Sequence, residues 1–289
     1  MEWLYQFPFQ YKIDTDAIDR GFRSFAVSAD SVLSLIRNGL NSLLTGINNV
    51  ITFIPWWVFV IAVFYIGFRQ SKKITTGALY AVLLYFIGMV GLWNLMLTTL
   101  AIILAAVFIS LLIGFPIGVL ISTSERANNI VRPILDTMQT MPIFVYLIPA
   151  VLLFGLGRVP GVMATVIYAI VPIVRLTNLG IRQVNEEVVE AAKAFGSTSL
   201  QSMIKVQIPQ AFPTIMAGVN QTLMMAMAMV VTTSMIGVSG LGLEVLISVN
   251  RIEVGRGLVS GTAVVIVAIL LDRISQGWVK QKEVEEDAV

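Results

Sequence analysis

The residues that could do chemistry in this chain gather in one polar stretch near its middle, within a very apolar surrounding. They are three glutamates followed by small residues and an isoleucine–proline pair: Glu186, Glu187, Glu190, Ala191, Ala192, Gly196, Ile208 and Pro209. Carboxylates in the first turn of a helix suit the positive end of its dipole, and a glycine suits the left-handed residue that ends one. This spacing predicts a short helix that is gripped by a soluble partner. An ordinary loop between two membrane spans is the competing interpretation.

The residues around these glutamates predict a helix–turn–helix. Asn185 is a typical N-cap residue. Thr198 and Gln201 form the pattern of a capping box that opens a second short helix, and we expect Pro209 to close that helix. The predicted unit has a polar edge and an apolar edge, the latter formed by Val189, Ala192, Phe195, Leu200 and Ile204.

The residue types that are absent exclude several classes of function. The chain has no histidine and no cysteine, so Ser-His and Cys-His nucleophilic sites and histidine metal sites are ruled out. It also has no Gly-Lys pair, and a phosphate loop requires one. The chain is therefore not an ATPase, and we expect no cofactor in it. The sequence has neither paired intramembrane aspartates nor a Ser/Lys dyad of the kind that membrane proteases use. A membrane enzyme is therefore disfavoured.

The composition requires a membrane. Hydrophobic residues make up 57% of the chain, charged residues 12%, and the mean hydropathy is +0.85, whereas soluble domains carry roughly 25% charged residues. A net charge of +2 gives no indication of nucleic-acid binding. Residues 1–16 lack a basic region followed by an apolar core, so we predict no cleaved signal peptide. The first span would then act as its own signal.

We predict an all-α polytopic membrane protein with about seven transmembrane helices. The apolar stretches of spanning length are 53–68, 74–93, 95–121, 142–157, 159–181, 211–236 and 257–275. The Gly-x-x-x-Gly matches at 114–118 and 257–261 are candidate helix contacts. Tryptophans at span ends fit an aromatic belt; these are Trp56, Trp57, Trp93 and Trp278.

Residues 28–52 are apolar at every third or fourth position, but the face between these positions carries Asp30, Arg37 and four asparagines. That face is too polar for lipid on all sides, so we reject an eighth span and predict an amphipathic helix in the membrane interface. A structural anchor is our preferred role for it, and a docking surface for a partner is the alternative.

Lysine and arginine positions set the predicted orientation. If the loop 183–210 is cytoplasmic, segments 69–73, 122–141 and 276–289 are cytoplasmic too, and these regions with their edges hold most of the basic residues. The short external loops that follow the first span then hold only Arg158, Arg251 and Arg256. We predict three parts: an external N-terminal segment 1–52, a permease domain 53–275, and a cytoplasmic tail 276–289.

The polar stretch resembles the cytoplasmic loop of ABC importer permeases, because Glu-Ala-Ala is followed by a glycine four residues after the second alanine and by Ile-Pro a dozen residues later. Further motifs resemble the permease of glycine betaine/proline-type osmoprotectant importers. They span roughly residues 94–275 and include the segments 132–142, 154–161, 213–223 and 236–242. Residues 1–93 carry no comparably specific motif.

This resemblance implies a type I ABC importer-like fold, a coupling helix in the loop, and transport by alternating access. The implied partners are ATPase subunits that hold ATP and Mg, an extracytoplasmic substrate-binding protein and a second permease copy. The implied location is a bacterial or archaeal cytoplasmic membrane. The alternatives are the permease of a methionine-like amino-acid importer and a channel that is not coupled to ATP.

The resemblance also implies a quaternary ammonium solute, such as glycine betaine or proline betaine, with choline and carnitine as rivals. The predicted spans contain no central Asp or Glu, which suits a zwitterion better than a bare cation. Aromatic faces hold a trimethylammonium group by cation–π attraction. We expect the translocation path among Phe144, Tyr146, Tyr168, Arg175, Met224 and Met227.

Overall fold

The computed structural model describes residues 14–286, and every regular element in that range is a helix. The outer ends of the predicted terminal segments, 1–13 and 287–289, lie outside the described residues. The first six helices are α1 (Thr15–Ser28), α2 (Asp30–Phe53), α3 (Trp56–Ser71), α4 (Ile74–Met89), α5 (Trp93–Ser122) and α6 (Glu125–Thr140). The remaining helices are α7 (Ile143–Phe154), α8 (Arg158–Arg182), α9 (Glu186–Ala194), α10 (Ser199–Ser202), α11 (Ile208–Thr233), α12 (Leu241–Arg251) and α13 (Val254–Glu286).

Each of the seven predicted apolar stretches is a helix, but the helices differ in length. Four helical stretches within the described range are long and apolar enough to cross a membrane alone: Trp93–Ser122, Arg158–Arg182, Ser199–Ile236 and Val254–Gly277. Two bent pairs raise the number to six if each counts as one span, namely α2 with α3 at 87° and α6 with α7 at 98°. The helix α4 has 16 residues and is about 24 Å long, against a hydrocarbon core of about 30 Å.

The predicted amphipathic helix within 28–52 is present as α2. Its apolar side is buried at Leu33, Leu40, Leu44 and Ile51, in the main hydrophobic core. These positions follow helical spacing, which explains why one face packs on the bundle and the other carries the polar residues. The sharp bend into α3 occurs at Ile54 and Pro55, where the backbone is extended.

The centre of the molecule is formed by α5, α8 and α11, which contact one another closely. Two glycines of α5 allow this approach. A Cβ atom at Gly114 would lie 2.5 Å from Cγ2 of Ile173, and one at Gly118 would lie 2.6 Å from Cβ of Thr177. The first predicted Gly-x-x-x-Gly contact is therefore present. In the second match, a Cβ atom at Gly261 would meet no atom within 4 Å.

The end of the bundle opposite the polar loop is held together by hydrogen bonds between turns and helices. The Leu241 N–H donates to Oγ1 of Thr99 at 2.9 Å, which joins the start of α12 to α5. The Gly157 N–H donates to the Ile236 carbonyl at 3.1 Å, which joins the start of α8 to the short 3₁₀ turn Ser234–Ile236 after α11. These bonds fix the relative positions of the central helices at that end.

Candidate functional site

The polar loop folds as a short helix with a defined start. The side chain of Asn185 accepts a hydrogen bond from the Glu187 N–H at 2.9 Å, so Asn185 caps α9 as predicted. Glu186 and Glu187 lie in the first turn and Lys193 in the last, which is the favourable arrangement for the helix dipole.

The end of α9 is fixed by Gly196, whose φ is +88°. The Gly196 N–H donates to the Lys193 carbonyl at 2.9 Å, and the Ser197 N–H donates to the Ala192 carbonyl at 3.1 Å. These two bonds define a Schellman motif, in which the residue after the cap adopts a left-handed conformation. The predicted helix stop at Gly196 is confirmed.

The second helix begins as predicted but does not end as predicted. Thr198 and Gln201 form a complete capping box at the start of α10. The chain then passes through a π-helical turn, Met203–Gln207, and continues directly into α11. The expectation that Pro209 closes the helix was therefore wrong. A proline lacks the N–H and its ring crowds the carbonyl four residues back; the wider π turn directly before Pro209 accommodates it.

Apolar side chains on the loop are exposed although both of its short helices have capped N-termini. We call these four side chains the docking patch: Val188, Phe195, Leu200 and Ile204. Their exposed fractions are 37%, 94%, 68% and 56%, in that order. Val188 lies in α9 and Phe195 is its C-cap, seven residues later, whereas Leu200 and Ile204 are four residues apart; each spacing places the pair on one helix face. Exposed apolar patches of this kind mark interaction sites.

Two of the three glutamates, Glu186 and Glu190, lie on a different side of α9. Glu186, Val189, Glu190 and Lys193 line a groove of about 400 Å³ whose opposite wall includes Glu125 and Arg182. Glu190 thus lines a groove between α9 and the bundle, whereas the docking patch faces away. The loop presents a polar groove and an apolar patch as separate surfaces.

The candidate path residues are distributed over several places. Tyr146 and Tyr168 contact each other edge to face, with ring centroids 5.9 Å apart, and the Tyr146 hydroxyl donates to the Met138 carbonyl. Phe144 is 55% exposed on the outside of α7, Met224 is partly exposed on α11, and Met227 is buried in the main core. The structure does not join these residues into one cavity, and their role in a path stays a prediction.

Arg175 lies apart from the aromatic residues, beside a cavity of about 490 Å³ between α6 and α8. It pairs with Asp136 and donates to Oε1 of Gln139 at 2.8 Å. One turn further along α8, Asn178 donates to Oδ1 of Asn128 at 2.7 Å. The following turn places Arg182 against Glu125.

Sequence analysis missed this polar seam between α6 and α8. A signal for half of it exists, because Asn128, Asp136 and Gln139 recur at helical spacing along α6. Their partners on α8 lie 36 to 50 residues away in the chain, and no local pattern identifies them. The seam fixes α6 across the end of α8 at the same end of the bundle as α9.

A helical bundle with membrane-length helices and a capped polar loop at one end defines the class of polytopic membrane proteins. The chain belongs to the family of binding-protein-dependent transport system inner membrane components, whose family model matches residues 110–282. It is a multi-pass transport permease subunit and not an enzyme. The family implies an ATPase and a substrate-binding protein as partners.

Similar proteins of this kind occur in several bacteria. The glycine betaine/carnitine transport permease protein GbuB of Listeria monocytogenes is 44% identical over 262 residues, which cover 89% of this chain and 92% of that protein. The glycine betaine transport system permease protein OpuAB of Bacillus subtilis is 44% identical over 273 residues, 90% and 92% of the two chains. The glycine betaine/proline betaine permease protein ProW of Escherichia coli is 45% identical over 255 residues, 88% and 69% of the two chains.

Solved structures show the same fold at lower sequence identity. An inward-facing form of the MetNI methionine ABC transporter superposes with a TM-score of 0.55 at 22% identity, over 63% of this chain and 92% of that chain. An amino acid ABC transporter crystallised with histidines gives a TM-score of 0.55 at 21% identity, over 69% and 98%. The type I importer-like fold expected from the sequence is confirmed.

Proposed function

We propose that this permease subunit carries a quaternary ammonium osmoprotectant across the cytoplasmic membrane by alternating access. Glycine betaine and proline betaine are the first candidates, and carnitine and choline follow. The observation that carries this proposal is the identity of 44% to 45% with permeases named for betaine transport, over nearly the whole chain.

The docking patch is the surface on which the ATPase subunit binds in this proposal. Phe195 is almost fully exposed, yet its backbone is held by the Schellman motif at Gly196 and the capping box at Thr198. An aromatic side chain that is rigidly presented loses little conformational entropy on binding and is typical of interface anchors.

ATP and Mg bind to the partner ATPase, since this chain has no phosphate loop. Closure of two ATPase subunits would pull on the loop 183–210, and the helices around a shared cavity would reopen to the other side. Two permease copies form the membrane part, and we propose that they are identical. The docking patch lies in the cytoplasm, the N-terminus outside and the C-terminus inside.

Two other functions are less well supported. The fold is shared with a methionine importer, but that similarity is at 22% identity, half of the identity to the betaine permeases. A channel without ATP coupling has no use for a rigid loop that exposes apolar side chains to the cytoplasm.

Uptake assays on the reconstituted complex, with its ATPase and binding protein, test the substrate class. We expect ATP-dependent uptake of labelled glycine betaine or proline betaine, with unlabelled choline, carnitine, proline and methionine as competitors. Robust uptake of an unrelated solute together with no betaine uptake would reject the substrate class and leave the transporter assignment standing.

The substitution Phe195→Ala tests the docking patch. Loss of an interface anchor costs about 2 kcal/mol or more, so we expect the ATPase to bind at least about thirtyfold more weakly, with transport reduced in step. Phe53→Ala is the matched control, since Phe53 is 87% exposed but lies at the end of α2. Equal ATPase affinity in both variants would show that Phe195 is not an anchor.

A further inference from the structure

A cavity of about 510 Å³ lies where the bend between α2 and α3 meets the ends of α4 and α5. Residues from all four helices line it, among them Thr52, Trp56, Tyr85, Trp93 and Asn94. Its volume is in the range of small-molecule sites. It shares no lining residue with the groove at the polar loop or with the cavity beside Arg175, and its residues are distant from both in sequence.

Three large aromatic side chains contribute to its wall. The rings of Trp56 and Tyr85 contact each other at a centroid distance of 6.2 Å and an angle of 57°, so they form an inclined corner and not a closed stack. Trp93 is held edge to face by Phe59, at 5.8 Å and 76°. Trp56 and Tyr85 are each 54% exposed, which leaves ring surface free for a ligand.

Charge is absent from the part of the wall that the structure describes. No Asp, Glu, Lys or Arg is among the lining residues. Asn94, in the first turn of α5, offers an amide donor at a helix end that favours a carboxylate. The Thr52 hydroxyl already donates to the Asn48 carbonyl at 2.8 Å, so towards the cavity it can act as an acceptor.

These features favour one ligand chemistry. A trimethylammonium group is large, weakly hydrated and held well by aromatic faces. A wall without carboxylates gives no extra advantage to a bare cation, whereas an amide donor in the same lining as the aromatic rings suits a ligand that also carries a carboxylate. An aromatic belt at the interface explains why Trp56, Trp57 and Trp93 are present, but it does not require Trp56, Tyr85 and Trp93 to surround one cavity.

We infer that this cavity is a binding site for a trimethylammonium group, with a betaine zwitterion as its soluble ligand. The inference extends the proposed function, since it rests on a betaine as the transported solute. An occupant would contact the hairpin of α3 and α4 as well as α5, because all three helices contribute residues to the lining. A choline headgroup of a lipid offers the same chemistry and is the second source to be tested.

Binding is measured on the full-length permease in nanodiscs made from choline-free lipids, without ATPase or binding protein. Saturation-transfer NMR detects the N-methyl protons of glycine betaine, and glycine, which lacks the methyl groups, is the negative probe. We expect saturable binding of glycine betaine and about tenfold weaker binding in Trp56→Leu and in Tyr85→Leu, because each variant removes one aromatic face.

Matched controls are available on α3. Trp57→Leu and Tyr65→Leu remove rings that are 52% and 55% exposed but do not line the cavity, so both should bind as the wild type does. Trp56→Phe keeps a ring and should retain most of the affinity. This rescue separates loss of the site from misfolding.

A second set of nanodiscs contains phosphatidylcholine. If the choline lipid competes with glycine betaine in the wild type and not in Trp56→Leu, the site accepts both sources. Retention of choline lipid without any betaine binding would assign the site to a headgroup alone. Equal binding by the Trp56 and Trp57 variants, or equal binding of glycine, would overturn the inference. Betaine uptake by the wild-type complex is scored separately, so failure of the site and failure of the proposed function are distinguishable.

Discussion

Gly196 shows how much of the proposed coupling depends on a single backbone conformation. Its φ of +88° is a conformation that costs other L-residues about 1–2 kcal/mol. A Cβ atom added at this residue would meet no atom within 4 Å, so the constraint is conformational and not steric. It also fixes the position of Phe195, the adjacent member of the docking patch.

We predict that Gly196→Val leaves insertion and assembly intact but reduces transport and ATPase stimulation together. The Schellman motif would be strained and the end of α9 would fray, so Phe195 would no longer be held in place. Gly39→Val is the control, because Gly39 is in the middle of α2, exposed, with open space around it. Transport and ATPase stimulation are measured as substrate uptake and ATP hydrolysis by the reconstituted complex, for each variant. Normal coupling in Gly196→Val would contradict the role of the loop.

Sequence patterns identified residues whose partners are close in the chain. The cap at Asn185, the stop at Gly196 and the capping box at Thr198 each depend on bonds over two to five residues. Arg175 was predicted to lie in the translocation path, but its partner Asp136 lies 39 residues away on another helix. Only the packing of α6 on α8 brings them together, and that packing is not encoded in local spacing.

At the scale of helices, the approach of α5 to α8 is controlled by small side chains. A Cβ atom at Gly118 would lie 2.9 Å from the Val174 carbonyl oxygen as well as 2.6 Å from Thr177. The backbone atom cannot move aside as a flexible side chain could. We therefore expect Gly118→Ala to lower the free energy of unfolding by about 1–3 kcal/mol through overpacking.

Denaturant unfolding of the purified permease in detergent measures this effect. Gly261→Ala is the comparison, since the added methyl group would enter open space and alanine is the better helix former; this variant should be neutral or more stable by up to about 1 kcal/mol. A neutral Gly118→Ala would mean that α5 and α8 can separate at no cost.

Helix types and order followed from the apolar pattern, whereas helix continuity did not. Pro209 was expected to end a helix because the favoured α-helical bond is lost there, and the π turn at Met203–Gln207 restores continuity by a geometry that the pattern does not reveal. The stretch 142–157 was predicted as a span although it is short for one. The helix α7 ends earlier still, at Phe154, where Gly155 follows with a φ of +82°.

At the scale of the whole molecule, the distribution of basic residues predicts which side each end faces. Single cysteines report this without background, because the chain has none. We expect cysteines at Thr198 and Lys72 to resist an impermeant thiol reagent added outside intact cells, and cysteines at Asp16 and Glu253 to react. Asp16, Lys72 and Thr198 are exposed in the protein, and Glu253 is partly buried.

Permeabilised cells provide the control, since all four positions should then react. Labelling of a cysteine at position 198 from outside would show that the predicted orientation is inverted. The docking patch would then be out of reach of a cytoplasmic ATPase. Protection of Asp16 alone would instead point to a different location for α1 and leave the loop where we place it.

The unbroken helical stretch from Ser199 to Ile236 has a mechanical consequence. Its 38 residues span roughly 57 Å, about twice the hydrocarbon thickness. If it is stiff, it acts as a lever that pivots within the bilayer. A tilt of roughly 5° would then shift its two ends by roughly 2.5 Å in opposite directions. A small displacement of Leu200 would then move Ile236 in the opposite direction. The hydrogen bond from the Gly157 N–H to the Ile236 carbonyl would be among the first to stretch.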